Sequence, residues 1–391
     1  GDFAADLLRD IQARRFEIDR RQHFAGPHGE RRGAVQHLRL QRLRETAHRL
    51  ADVAAAMSVE GQLGTDRVFA ADLQELRPHP GQIASAANIR RLLADSAIVA
   101  SHRTPDCTRV QDAYSLRCSP QVAGSARDTA AHARTVAERE LASVIDNPVV
   151  TLDGRVESNG NFHGAPVAHV LDFLAVVVAD VAGISERRTD RFLDTARNHG
   201  LPAFLAHDPG VDSGHMIAQY TQAGIVSELK RLAAPASVDS IPSSAMQEDH
   251  VSMGWSAARK LRRAIDGLTR VLAIEVLTAA RAIDLRAPLA PAPGTGAVRA
   301  LLREHVEGPG PDRHLAPEIA TAVELAGSGA MVAATAAEAT MAGWPAVPTA
   351  GRRISEPPTT VNRLGSGFVW AAASMPVAMT ETRIRPSSSS I

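Results

Sequence analysis

The sequence predicts an all-α fold, built as a bundle of long helices. Apolar residues recur at spacings of three and four over long stretches, which is the period of a helix. Strand-like alternation is confined to residues 149–156, which we expect to form one small hairpin. Aromatic residues make up only 4% of the 391 residues. Packing by Ala, Leu and Val suits a helix bundle better than a β-sandwich.

Five long helices are expected in chain order. Ser125 and Asp128 resemble a capping box, so the first helix is expected over residues 126–145. The other four are expected over roughly residues 167–188, 213–232, 250–285 and 317–336.

The most apolar stretch, residues 167–184, is predicted to be a buried core helix. Asp172 and Asp180 interrupt it, whereas a membrane-spanning helix needs about 20 nearly uncharged residues. We therefore expect no membrane association. Arg187 and Arg188 follow it among acidic residues and are interpreted as a solvated helix face.

Composition divides the chain into three parts and excludes several partners. Residues 45–337 are predicted to form the helical core, flanked by an atypical segment 1–44 and a loosely ordered tail 338–391 rich in Pro, Thr, Gly and Ser. Basic and acidic residues number 43 each, so no net basic field attracts nucleic acid. Two cysteines and no signal-peptide pattern indicate the cytoplasm. Scattered histidines predict no metal site.

A polar stretch from Gln111 to Gln121 is the first candidate for a functional segment. Gln111, Tyr114 and Arg117 are spaced by three, so they share a face in a helical turn. A guanidinium can hold a carboxylate by two parallel hydrogen bonds, and a phenol can relay a proton. From these residues alone, a loop with a structural Tyr is equally open.

Two further polar stretches lie between predicted helices. Asn159, Gly160 and Asn161 surround Phe162 and allow close approach to a ligand, although the pattern also fits a simple turn. Gln247 and Glu248 precede a long helix, where acidic residues also serve as capping groups.

Together these segments closely resemble the histidine branch of the aromatic amino acid ammonia-lyase family. The resemblance covers about residues 46–335 and rests on six motifs in order. They are Arg-Pro-His-Pro-Gly-Gln (77–82), Gln-Asp-x-Tyr-Ser-x-Arg (111–117), Asp-Asn-Pro (146–148), Gly-Asn-Phe-His-Gly (160–164), Gln-Glu-Asp-His-Val-Ser-Met-Gly (247–254) and Asp-Arg-His-Leu-Ala-Pro (312–317).

The resemblance implies a reaction and an assembly. Members of this branch convert L-histidine to trans-urocanate and ammonia without a metal or an added coenzyme. Their electrophile, 4-methylidene-imidazol-5-one (MIO), forms from an Ala-Ser-Gly tripeptide of the backbone. Members are homotetramers whose sites combine residues from several subunits, on a long-helix bundle of the ammonia-lyase and fumarase-like type.

The resemblance also implies roles for individual residues. Arg117 would bind the substrate carboxylate, with Gln111 beside it. Tyr114 would take part in the proton network near the electrophile. Phe162 would pack close to that ring, and Asn161 would support the loop.

Glu248, next to Gln247, would accept a hydrogen bond from the substrate imidazole. A phenyl ring offers no such donor, so burying a carboxylate against it would cost several kcal/mol. The phenylalanine and tyrosine branch has Asn-Gln-Asp at this place, where this chain has Gln-Glu-Asp.

One departure from the family affects activity. Ala-Ser-Gly occurs nowhere in the sequence. We therefore expect the N-terminal MIO domain to be largely missing and the chain to be a truncated form with little or no activity. Alternatives are a non-catalytic paralogue that assembles with a full-length lyase, and a lyase or aminomutase of other aromatic amino acids. A third is a fumarase-like enzyme, because residues Ser243-Ser244-Ala245-Met246 weakly resemble part of the signature of that superfamily.

Overall fold

A computed structural model describes residues 47–104, Cys107 and residues 109–339. The described part is mostly helical, which confirms the predicted all-α class. The one sheet within it is the predicted hairpin, in which β1 (Val149–Val150) pairs antiparallel with β2 (Val156–Glu157). The predictions for segment 1–44 and for almost all of tail 338–391 lie outside the described residues.

The described helices are named α1 to α12 in chain order. They are α1 (residues 47–61), α2 (Ala71–Glu75), α3 (Pro80–Leu92), α4 (Ala97–Ala100), α5 (Tyr114–Arg117), α6 (Ser119–Leu141), α7 (Ala165–Leu193), α8 (Met216–Leu232), α9 (Gly254–Asp284), α10 (Pro293–Arg303), α11 (Ala316–Ser328) and α12 (Ala330–Ala339). Short 3-10 turns cover Arg67–Phe69, Ala203–Leu205 and Ser244–Met246.

Helices α7 and α9 form the centre of the bundle and run parallel. Near their first turns, Lys260 Nζ lies 2.9 Å from Asp172 Oδ1. Nearer their ends, Arg188 pairs with Glu275. Helix α8 packs against both and runs in the opposite direction, since Gln219 Nε2 near its start donates to Glu186 Oε1 at 2.6 Å, near the end of α7. The chain thus runs up, down and up through α7, α8 and α9.

Helix α7 is a core helix, as predicted. It is the one helix in the described part that is long and apolar enough to cross a membrane, and 56% of its most apolar window is buried inside the fold. Asp172 on this helix is also buried, and it forms the ion pair with Lys260.

The interpretation of Arg187 and Arg188 as a solvated pair is correct for the first and wrong for the second. The Arg187 side chain is 58% exposed, whereas that of Arg188 is 2% exposed. Arg188 lies two helical turns beyond the buried Val181, on the stripe that faces the core. Its charge is matched inside the bundle by Glu275.

The predicted start of α6 is also wrong. The helix begins at Ser119, with Pro120 in its first turn, a position that proline tolerates because no backbone donor is needed there. Ser125 lies inside the helix, and its hydroxyl donates to Val122 O. Asp128 instead accepts a hydrogen bond from Gly81 N at 2.8 Å, which ties α6 to α3.

Other boundaries shift by a few residues. The predicted helix over 317–336 is divided into α11 and α12 at Gly329, whose φ is 82°. Helix α9 begins at Gly254, after residue 250. Helices α1, α3 and α10 were not predicted.

Candidate active site

Two motif residues of the first polar stretch, Tyr114 and Arg117, lie on a single helical turn. Helix α5 has only four residues and carries Tyr114 at its start and Arg117 at its end. The guanidinium carbon of Arg117 lies 4.6 Å from the centroid of the Tyr114 ring, in a cation–π arrangement. Tyr114 is 72% exposed. The turn therefore presents a phenol and a guanidinium together at the surface.

Asp112 anchors the backbone just before this turn. It is buried and accepts hydrogen bonds from Thr65 N at 2.7 Å and from Arg109 Nη1 at 2.8 Å. Gln111, immediately before it, is exposed and lies outside α5. The shared helical face predicted for residues 111, 114 and 117 thus applies to Tyr114 and Arg117 alone.

Arg117 has no anionic partner among the described residues. No carboxylate of the described residues lies within ion-pair distance of it, and its Nε has no hydrogen-bond partner among them. A buried guanidinium N–H without an acceptor is costly. A carboxylate placed against this residue would supply the missing negative charge.

The second polar stretch is held by the Asp-Asn-Pro motif. Asn147 Oδ1 accepts hydrogen bonds from Ser158 Oγ at 3.1 Å and from Asn159 N at 2.9 Å. Asn161 Nδ2 donates to Val144 O at 3.3 Å. The loop thereby presents Phe162, which is 58% exposed, at the surface just before α7.

Glu248 sits in a strained and tightly tied loop. Its carboxylate accepts hydrogen bonds from the hydroxyls of Ser243 and Ser244, which hold the pKa of Glu248 below its ordinary value. Three consecutive residues of this loop, Ser244, Ala245 and Met246, have positive φ, a region that residues with a Cβ rarely adopt. Glu248 is therefore a carboxylate at neutral pH, fixed by its neighbours and exposed, as Gln247 is.

This geometry differs from the alternative in which Glu248 caps a helix. Helix α9 begins at Gly254, beyond the reach of Glu248, whose partners are the two serines. The capping interpretation is wrong because the chain folds back on itself before the helix begins.

A histidine stack joins the two loops. The rings of His163 and His250 lie 5.7 Å apart with an interplanar angle of 8°. His163 Nε2 also lies 3.2 Å from His250 O. The loop bearing Phe162 and the loop bearing Glu248 thus meet at the start of α7.

The two parts of the candidate site lie near opposite ends of α7. Arg188, close to the end of α7, contacts the α5 turn through Ser115 O at 3.2 Å. The His163–His250 stack lies just before its start. At the usual helical rise, this 29-residue helix is about 40 Å long. Within one chain, Arg117 and Glu248 are therefore not brought together.

Comparison with known proteins identifies the lineage. A sequence model described as aromatic amino acid lyase matches residues 33–304. The chain belongs to the aromatic amino acid lyase family. Of the alternatives left open by the sequence, membership of this family removes the fumarase-like one.

The curated relatives carry one activity in their names. Histidine ammonia-lyase of Streptomyces avermitilis is 65% identical over 295 residues, which cover 75% of this chain and 57% of that protein. The Streptomyces coelicolor enzyme of the same name is 65% identical over 291 residues, with 74% and 57% covered. The chain thus spans little more than half the length of these relatives.

Solved structures of the family share the fold. Histidine ammonia-lyase from Trypanosoma cruzi aligns with a TM-score of 0.68 at 38% identity, covering 76% of this chain and 56% of that one. Tyrosine aminomutase from Streptomyces globisporus aligns with a TM-score of 0.72 at 34% identity, covering 76% and 60%.

The electrophile of the aromatic amino acid lyases cannot form from this sequence. The family makes MIO from its own Ala-Ser-Gly, and that tripeptide is absent from the 391 residues.

Sequence reasoning missed the support beneath this site. Arg188, paired with Glu275, contacts the α5 turn, and the sequence signal for its burial was its position on the apolar stripe of α7. The His163–His250 stack carried no signal, because residues 87 positions apart meet only through the packing of α7 against α9.

Proposed function

We propose that the chain is the substrate-binding bundle of a histidine ammonia-lyase. It acts on L-histidine in the cytoplasm as part of a homotetramer. The observation that carries this proposal is the charged carboxylate of Glu248, fixed by two serine hydroxyls and turned to the surface. An imidazole N–H can donate to such an acceptor, whereas a phenyl ring leaves it facing carbon. The 65% identity to named histidine ammonia-lyases supports the same choice over an aminomutase.

The two ends of the substrate have separate recognition elements. Arg117 binds the carboxylate by paired charge-assisted hydrogen bonds, with Gln111 beside it. Tyr114, whose ring centroid lies 4.6 Å from the carbon of that guanidinium, takes part in the proton network near the electrophile. Phe162 packs close to the ring of the electrophile, on a loop that Asn161 ties to Val144.

Both elements belong to one site only when chains associate. Since Arg117 and Glu248 lie near opposite ends of a helix about 40 Å long, a single chain cannot bind both ends of one histidine molecule with them. In a closed oligomer, the α5 turn of one subunit and the Glu248 loop of another can meet.

A polypeptide made of these 391 residues does not deaminate L-histidine unaided, because it holds no precursor of the electrophile. The same absence favours a second role, in which the chain completes the sites of a full-length lyase by co-assembly.

Intersubunit complementation tests both roles. The chain is co-expressed with the Streptomyces avermitilis histidine ammonia-lyase in which the counterpart of Arg117 has been replaced. We expect neither protein alone to form urocanate, and the mixed oligomer to form it. The chain carrying Arg117→Gln is the matched control and should restore nothing. Turnover by the chain alone would refute the proposed inactivity, and silence of a verified mixed oligomer would refute the proposed sites.

A further inference from the structure

The α5 turn cannot hold its own geometry. A helix of four residues closes too few hydrogen bonds to offset the entropy of fixing its backbone. The side chain of Tyr114 is also exposed, so few neighbouring atoms fix it. The orientation of Tyr114 and Arg117 therefore depends on contacts that the rest of the fold makes with the turn.

One buried guanidinium contacts the turn from below. Arg188 Nη1 donates to Ser115 O at 3.2 Å and to Ser119 Oγ at 3.3 Å. The Ser119 hydroxyl in turn donates to Ser115 O at 3.0 Å and to Leu116 O at 2.9 Å. These contacts involve the carbonyls of the two middle residues of α5, so they fix its rotation as well as its position.

The other edge of the same guanidinium is clamped. Arg188 Nε and Nη2 both contact the carboxylate of Glu275, the latter at 2.8 Å. That carboxylate also accepts hydrogen bonds from Ser58 Oγ at 2.6 Å and Ser185 Oγ at 2.5 Å. The side chains of Arg188 and Glu275 are 2% and 0% exposed. Residues of α1, α7 and α9 therefore fix the orientation of the Glu275 carboxylate, and this carboxylate fixes the orientation of the guanidinium.

We propose that Arg188 is a positioning residue for the substrate-carboxylate site, and that Glu275 holds it in place. The planar fork of arginine binds Glu275 along one edge while its remaining nitrogen supports α5, which an ammonium group cannot do in the same geometry. Only the statement that the positioned Arg117 binds a carboxylate rests on the proposed function. The positioning itself is a property of the described chain.

Fluorine NMR tests the positioning without substrate or turnover. The chain has two tyrosines, Tyr114 and Tyr220. Labelling with 3-fluorotyrosine gives two resonances, which Tyr220→Phe assigns. Ser119→Ala removes a hydroxyl between Arg188 and the turn. Ser58→Ala removes a hydroxyl of the same network on the far side of Glu275 and is the matched control.

We expect Ser119→Ala to move the Tyr114 resonance toward that of free 3-fluorotyrosine, and Ser58→Ala to leave it in place. Arg188→Lys should move it in the same direction as Ser119→Ala. If Arg188→Lys does not fold, the comparison of Ser119→Ala with Ser58→Ala is sufficient to test the proposal. A Tyr114 resonance unchanged in folded Ser119→Ala, or moved equally by Ser58→Ala, would overturn the proposal. Because no ligand is present, either outcome is independent of whether the chain binds L-histidine.

Discussion

Glu248 and Arg117 are held by different means. Glu248 is fixed by hydroxyls in its own loop. Arg117 is fixed by the ring of Tyr114 and by the turn on which both lie. Local hydrogen bonds thus fix the Glu248 loop, and tertiary contacts from Arg188 support the turn that carries Arg117.

Glu248→Gln removes the negative charge while keeping the shape of the side chain. A hydrogen bond to a charged group contributes about 1.5–3 kcal/mol, so we expect the affinity of the assembled protein for L-histidine to fall about 10- to 100-fold. Titration calorimetry measures it. Asp249→Asn removes the neighbouring carboxylate and should leave the affinity unchanged. Equal losses in both variants would argue against a specific role for Glu248.

His215 gives the stability of the bundle a pH dependence. It is buried, with Nδ1 3.1 Å from Thr278 Oγ1, and burial together with nearby Arg281 lowers its pKa to about 3. Below pH 6.5 the His215 side chain is protonated in the unfolded chain but stays neutral in the folded chain. The free energy of unfolding therefore falls as the pH drops from 6.5 toward about 3.

His215→Gln should flatten this dependence. Between pH 7 and pH 5 the histidine accounts for about 2 kcal/mol of lost stability, and the variant should lose correspondingly less over that interval. Urea unfolding at the two pH values measures the difference. His207→Gln, at an exposed position, should keep the original slope, and an original slope in His215→Gln would contradict the assignment.

At the level of elements, α3 and α6 approach each other through two glycines. A Cβ at Gly124 would lie 2.4 Å from Gln82 N, and one at Gly81 would lie 2.2 Å from Gly124 O. Both obstacles are main-chain atoms, so the helices would have to separate. The glycine of the Arg-Pro-His-Pro-Gly-Gln motif thus has a packing role.

Gly124→Ala should destabilise the fold by about 1–3 kcal/mol, the usual cost of overpacking. Gly224→Ala, at an exposed position of α8 with no atom within 4 Å of the added methyl, should instead be neutral or stabilising by up to about 1 kcal/mol. Chemical denaturation of both variants separates the two effects. A similar change in both would mean that α3 and α6 are not in close contact.

The same elements show what the sequence could predict. The long helices α7, α8 and α9 were predictable because an apolar stripe of period 3.6 extends over many turns. The start of α6 was not, since Ser125 has the chemistry of a cap but serves inside a helix. The burial of Arg188 was not predicted, because an arginine among acidic residues is usually solvated, although its place on the apolar stripe of α7 indicates the core. The tie between the loops of His163 and His250 depends on packing and has no local signature.

At the level of the whole molecule, the length of α7 separates the two halves of the candidate site. The candidate residues were predictable from motifs, but their separation was not, because spacing along the chain carries no information about which end of a bundle a loop occupies. Arg117 lies near one end of α7 and Glu248 near the other. The central claim is that these two residues act on one substrate only across a subunit boundary.

Mixing two defective chains tests this claim most directly. Arg117→Gln and Glu248→Gln chains are each prepared alone and as an equimolar mixture whose mixed oligomers are verified by native mass spectrometry. The measurement is the number of L-histidine molecules bound with the original affinity. If the two residues come from different subunits, about a quarter of the sites in a random mixture regain both. Mixed oligomers with no recovered sites would contradict the claim.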